Sequence, residues 1–242
     1  MKFTRKVTPV LMLALALLFA SAARPGHASR AQDAAKQSDP NKYLYADFEE
    51  MKDGRPVSSN GGLVQIVSYQ ESSSNPAQYK GLAGSNPPAP ELVRLKKDDP
   101  NHAAAFDYML TAPNQYAGVG VEVHGRADRD GKAVADDMSG YKEVTLQIYA
   151  TGVERLRFEV LSRGVGGDTP NGFPQATFKV TQGFNTYKIP LKSLLQPQWA
   201  QPRVSAKDVL SKLTAVGITA YCDQQCRPAQ GTIIVDNIVF EK

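Results

Sequence analysis

Five side chains in this sequence have the chemistry to hold a flat, hydroxyl-rich ligand: Gln147, Tyr149, Arg157, Glu159 and Tyr221. A tyrosine ring stacks on the C–H surface of a pyranose, while amide, guanidinium and carboxylate groups hold hydroxyls. Gln147 and Tyr149 alternate with Val144, Leu146, Ile148 and Ala150; Arg157 and Glu159 alternate with Leu156, Phe158 and Val160. A period of two sends successive side chains to opposite faces of a strand, so each polar pair leaves the pleat away from an apolar face. Tyr221 stands opposite Val216, Ile218 and Ala220 by the same rule. The two central runs are joined by 151–154, short enough to predict a hairpin with all four polar residues on one outer face. The plain alternative is a solvated sheet face whose Arg and Glu serve stability alone.

A second group is acidic. Asp47 and Glu49 are two apart and share one face of the first predicted strand. Hard carboxylate oxygens of this kind suit Ca²⁺, with a solvated strand end as the alternative. Catalytic groups are scarce. Past the first 28 residues the only histidines are His102 and His124, and neither sits in a nucleophile-elbow or zinc-helix motif. Glu122 and Glu159 are the carboxyls that a glycosidase would need to face one another, and no spacing motif pairs them. The expectation is a protein without catalysis.

These residues must be positioned by one domain in the latter part of the chain. Residues 1–28 read as a secretory signal: Lys2, Arg5 and Lys6 precede an apolar run over 10–20, and small residues follow at Ala20, Ala22 and Ala28. The run is too short for a comfortable membrane span, so a secreted or periplasmic protein with no membrane contact after cleavage is expected. Residues 29–42 read as a polar, flexible leader. The chain's net charge of +4 comes from 28 basic and 24 acidic residues. Four of the basic residues lie in 1–28, which leaves the remainder near neutral. No basic run is left to neutralise a phosphate backbone, which argues against nucleic acid as a partner. Two cysteines, Cys222 and Cys226, are expected to form a disulfide after export.

Alternation and turn residues predict ten strands, at 43–51, 62–69, 103–111, 116–124, 144–150, 155–160, 176–181, 184–191, 215–222 and 231–240. The strands at 176–181 and 184–191 read as a pair around Gln182-Gly183. Residues 70–102, rich in Ser, Asn, Pro and Gly, predict a long irregular loop. One short helix is predicted at 205–213, with Ser205 as its N-cap. Many strands, one helix and no βαβ rhythm indicate an all-β antiparallel sandwich over 43–242.

Several motifs occur in order: Asp47-Phe48-Glu49, Phe106-Asp107-Tyr108, Asp137-Met138-Ser139-Gly140-Tyr141, Thr186 to Leu191, and Ile234-Val235-Asp236-Asn237-Ile238. Together they resemble the galactose-binding-like jelly roll. They are most similar to carbohydrate-binding module family 11 and to the complex I intermediate-associated protein 30 family. The resemblance implies a jelly-roll β-sandwich and a β-glucan-type polysaccharide or oligosaccharide ligand. The alternative it leaves open is a protein partner in an assembly role, with a jelly-roll glycosidase ranked behind both. It implies that Arg157-Phe158-Glu159 is the arginine-x-acid strand of a binding cleft. It also brings the last strand beside the first, so that Asp236 joins Asp47 and Glu49 around a structural calcium.

Overall fold

The computed structural model describes residues 39–69, 77–122, 134–165, 170–222 and 228–242. The expected signal, residues 29–38 of the leader, His124 and Cys226 lie outside these residues. In chain order the strands are β1 (Lys42–Ala46), β2 (Met51–Lys52), β3 (Arg55–Pro56), β4 (Val64–Tyr69), β5 (Gln78–Lys80), β6 (Glu91–Arg94), β7 (His102–Leu110), β8 (Tyr116–Glu122), β9 (Glu143–Ala150), β10 (Arg155–Leu161), β11 (Gln175–Lys179), β12 (Asn185–Pro190), β13 (Ala215–Tyr221) and β14 (Ala229–Glu241). One short helix, α1 (Ala206–Leu210), precedes β13, and the Ser205 hydroxyl accepts from the Asp208 N–H at its start. None of the described helices is long and apolar enough to cross a membrane.

Two antiparallel sheets enclose the core. One has the order β11-β10-β13-β8-β4; the other has β12-β9-β14-β7-β5, with β1 also on β14 and β6 also on β7. This is the all-β antiparallel sandwich that the alternation predicts, in the jelly-roll form that the resemblance implies. The inward sets are those read from the sequence: Val144, Leu146 and Ile148 from one sheet meet Leu156, Phe158 and Val160 from the other, all fully buried. Such cores hold because each strand contributes every second side chain to one apolar layer. Tyr45 pins the two sheets further: its ring lies 5.5 Å from Phe240, and its hydroxyl donates to the Val121 carbonyl across the sandwich.

Three connections differ from expectation. β9 and β10 do not form a hairpin: β9 pairs with β12 and β14, and β10 pairs with β11 and β13. β11 and β12 likewise belong to opposite sheets, and Phe178 and Tyr187 meet between them at 5.3 Å. The 70–102 segment is not wholly irregular, since β5 and β6 lie within it and pair with β7. Asp53 and Gly54 form a two-residue hairpin turn between β2 and β3. Both residues have positive φ, as such turns require.

Candidate binding face

The five-stranded sheet presents an outer face built from alternate residues of β10, β13, β8 and β4. Across it the register sets Arg157 opposite Thr219, Thr219 opposite Gly118, and Tyr221 opposite Tyr116. One row along, Glu159 stands opposite Gly217, and Gly217 opposite Gly120. The glycines remove side chains from the middle of the face, and the flanking rows stand up around the gap. The result is a groove of about 220 Å³ with Gly120 and Gly217 in its floor and Tyr116, Glu122, Glu159, Arg163 and Thr219 among its walls.

At one end of this groove the Arg157 guanidinium lies over two rings. It is 4.9 Å from the Tyr116 centroid and 5.6 Å from that of Tyr221. Its Nε donates to the Thr219 hydroxyl at 3.1 Å. Stacking and hydrogen bonding together hold the planar group, leaving guanidinium N–H groups to donate elsewhere. Glu159 is largely shielded from water. Burial pushes its carboxyl above the usual carboxylate range, against the pull of Arg157, Arg163 and the Phe173 N–H.

The predicted five-residue set does not converge. Arg157, Glu159 and Tyr221 share the outer face of the five-stranded sheet. Gln147 and Tyr149 belong to β9 and lie on the outer face of the opposite sheet. There the Gln147 Oε1 accepts from Asn237 Nδ2 at 3.3 Å, and Tyr149 sits opposite Ile234. The cause is the β9–β10 connection, which crosses from sheet to sheet. Residues that the sequence reading left out of the set are Tyr116, Thr219, Arg163 and the glycine floor. Tyr116 already alternated with buried Ala117 and Val119; pairing β8 with β13 would have brought it to Tyr221.

The acidic group does gather. Asp236 is fully buried on β14, and Asp47 is buried just past β1. The Asp236 carboxyl is pushed up to about 6 by burial. Glu49 and Asp47 raise it further by charge repulsion, while the Asn101 side chain and the Asn237 N–H oppose the rise. Asn101 Nδ2 donates to Asp236 at 2.8 Å, and Ser59 donates to Asp47 at 3.2 Å. Glu49 turns instead to His102, accepting its backbone N–H at 2.7 Å and meeting its ring Nδ1 at 3.1 Å. Among the described residues no three acidic, histidine or cysteine side chains are set to hold a metal ion together. Asp47 and Asp236 both flank residues of positive φ, Phe48 and Asn237, backbone that an ordinary residue adopts only at a cost. Cys222 is buried beyond β13, and its expected partner Cys226 lies outside the described residues.

The solved structures that resemble this chain have the same jelly-roll architecture. A family 11 carbohydrate-binding module of a cellulosomal cellulase from Clostridium thermocellum superposes with a TM-score of 0.53. The two sequences are 15% identical, and the match covers 84% of this chain and 96% of the module. A family 11 module from the same organism, solved in complex with a β-1,3-1,4-mixed-linked tetrasaccharide, matches with a TM-score of 0.52 at 13% identity. That match covers 83% of this chain and 95% of the module. No family model and no curated protein sequence matches the chain. The fold is that of the family 11 modules.

Proposed function

We propose that this chain is a carbohydrate-binding protein that holds an extended glycan along the groove of the five-stranded sheet. The observation that carries the reading is the Arg157 guanidinium stacked on Tyr116 and Tyr221 at the end of a glycine-floored groove. Aromatic edges and faces suit the C–H surface of a sugar ring, and Arg157, Glu159 and Arg163 suit its hydroxyls. A β-glucan-type ligand is the finer proposal, supported by the likeness in fold to a module solved with a mixed-linked β-glucan tetrasaccharide. Binding without hydrolysis is part of it. Glu122 and Glu159 both line the groove, but they rise from β8 and β10 with β13 between them.

Export, a Cys222–Cys226 disulfide and a calcium held by Asp47 and Asp236 belong to the same proposal. They rest on the 1–28 pattern, on cysteine use in exported chains and on the buried carboxylates. A glycan array probed with the exported protein, followed by calorimetry on the hits, tests the central claim. Soluble β-glucans should bind with the modest affinity of a shallow site. An array on which no glycan is retained would sink the reading.

A further inference from the structure

The largest exposed aromatic in the described chain has no part in the groove as drawn. Trp199 is 66% exposed, and Leu195, four residues earlier in the chain, is 72% exposed. A tryptophan left this open contributes little to the core, yet the loop that carries it is firmly held. Leu195 and Gln175 exchange both backbone hydrogen bonds at 3.0 Å. Gln196 Nε2 donates to the carbonyls of Gly172 and Pro202, each at 2.9 Å, and its Oε1 accepts the Val204 N–H at 3.0 Å. Asn171 and Gln201 bond one another twice, at 2.8 and 3.0 Å. The six-membered edge of the indole rests on Gly172, where an added Cβ would come within 2.8 Å of Cη2 and 3.1 Å of Cζ3. A bare backbone is what lets the ring seat there.

The same short segment reaches the groove. Phe173, next to Gly172, gives its N–H to the Glu159 carboxylate. The Arg163 guanidinium lies 5.6 Å over the Phe173 ring. Glu159 and Arg163 are groove walls. The indole therefore stands just beyond the β11 side of the groove, away from the Arg157 end, on a loop pre-ordered before any ligand arrives. Its surroundings are amide-rich, with Asn171 and Gln201 exposed beside it, which suits a hydroxylated chain better than an apolar protein surface.

We infer that Trp199 is an outlying stacking platform that engages a sugar chain where it leaves the groove, so that affinity grows with ligand length. This rests on the groove reading above. A platform that is already rigid costs little ordering when a ring stacks on it.

Trp199 is the only tryptophan in the sequence, so intrinsic emission reports on this ring alone. The experiment titrates the protein, and its Trp199→Ala and Trp199→Phe variants, with mixed-linked β-glucan tetrasaccharide and with long oligosaccharides of the same linkage. Calorimetry is run on all three proteins, and emission is followed on the wild type. The long ligand should bind the wild type more tightly than the tetrasaccharide and shift its emission to shorter wavelength. Trp199→Ala should weaken the long ligand about threefold to about tenfold, the range of one aromatic contact, and leave the tetrasaccharide unchanged. Trp199→Phe should recover most of the loss. Long-ligand binding with unchanged emission and undiminished affinity in Trp199→Ala would overturn the platform and leave the groove standing. An equal loss for both ligands in Trp199→Ala would overturn the length dependence. No binding of either glycan by the wild type would overturn the groove reading and the platform with it.

Discussion

Tyr116 and Tyr221 face one another across neighbouring strands, and the Arg157 guanidinium lies over both of their rings. Neither ring alone fixes the arginine. Together with the Thr219 hydroxyl they hold its plane, so that its remaining N–H groups are presented rather than mobile. Arg157→Lys keeps the charge and loses the fork and the stack. It should weaken glycan affinity about tenfold, equivalent to about 1.4 kcal/mol, and cost less than about 1 kcal/mol of stability. Calorimetry beside a denaturant melt separates the two; full affinity in Arg157→Lys would remove the guanidinium from the site.

Tyr149 gives the complementary case. It lies on the outer face of the opposite sheet, away from the groove. Tyr149→Ala and Gln147→Ala should leave glycan affinity within experimental error of wild type. A loss from either would mean that the ligand lies on the seven-stranded sheet instead.

The fate of those two residues shows what alternation encodes. It states which side chains face inward, and Leu146, Ile148, Leu156, Phe158 and Val160 are all buried as read. It does not state which sheet a strand joins. A connection of four residues reaches up to about 13 Å, enough to cross the roughly 10 Å between stacked sheets as well as to turn back in one. Gly152, with φ of 80°, looks in sequence like a hairpin turn. In the structure a Cβ there would fall 2.0 Å from the Gln230 carbonyl oxygen, and the Thr151 N–H donates to Thr232. The glycine serves a close approach to β14 as the chain leaves for the other sheet. The gathering of Asp47 with Asp236 was legible only through the resemblance, because two residues so far apart in sequence meet only when the order of strands is known.

Glu159 predicts a pH dependence of stability. Its folded-state carboxyl is raised above the ordinary value by burial, so the folded protein holds that proton more tightly than the unfolded chain does. The stability associated with it is complete below the ordinary carboxylate range and is lost as pH rises through the raised value. Glu159→Gln keeps the neutral shape without the charge. Its Tm should exceed wild type near about pH 7, with the gap closing toward about pH 4. Glycan affinity should fall at the same time, since a charged acceptor is lost. A Tm gap that does not change with pH would show that Glu159 is not the titrating group.

Calcium is tested at the opposite sheet. Asp236 is buried and repelled by the charges of Glu49 and Asp47, a strain that a cation would relieve by neutralising charge. A ligand that binds only the folded state stabilises by mass action. Added Ca²⁺ should raise the Tm, chelator should lower it, and Asp236→Asn should remove most of the response. Identical melts with Ca²⁺ and with chelator would withdraw the cation and leave Asp47, Asn101 and Asp236 as a self-sufficient buried network.

The glycine floor offers a test in which stability and binding part company. Gly217 lies between Glu159 and Gly120 in the register, and an added Cβ there would meet nothing nearer than 3.7 Å, which is ordinary contact. Its φ is not in the left-handed region, so a branched side chain adopts the backbone without strain. Gly217→Val should therefore fold with an unchanged or higher Tm, because β-branched residues favour strands and glycine weakens them. The isopropyl group would stand up from the floor of a groove of only about 220 Å³. Glycan affinity should drop by more than about tenfold, since a ring can no longer descend between Tyr116 and Glu159. A folded Gly217→Val protein that binds as well as wild type would show that the ligand does not enter the groove.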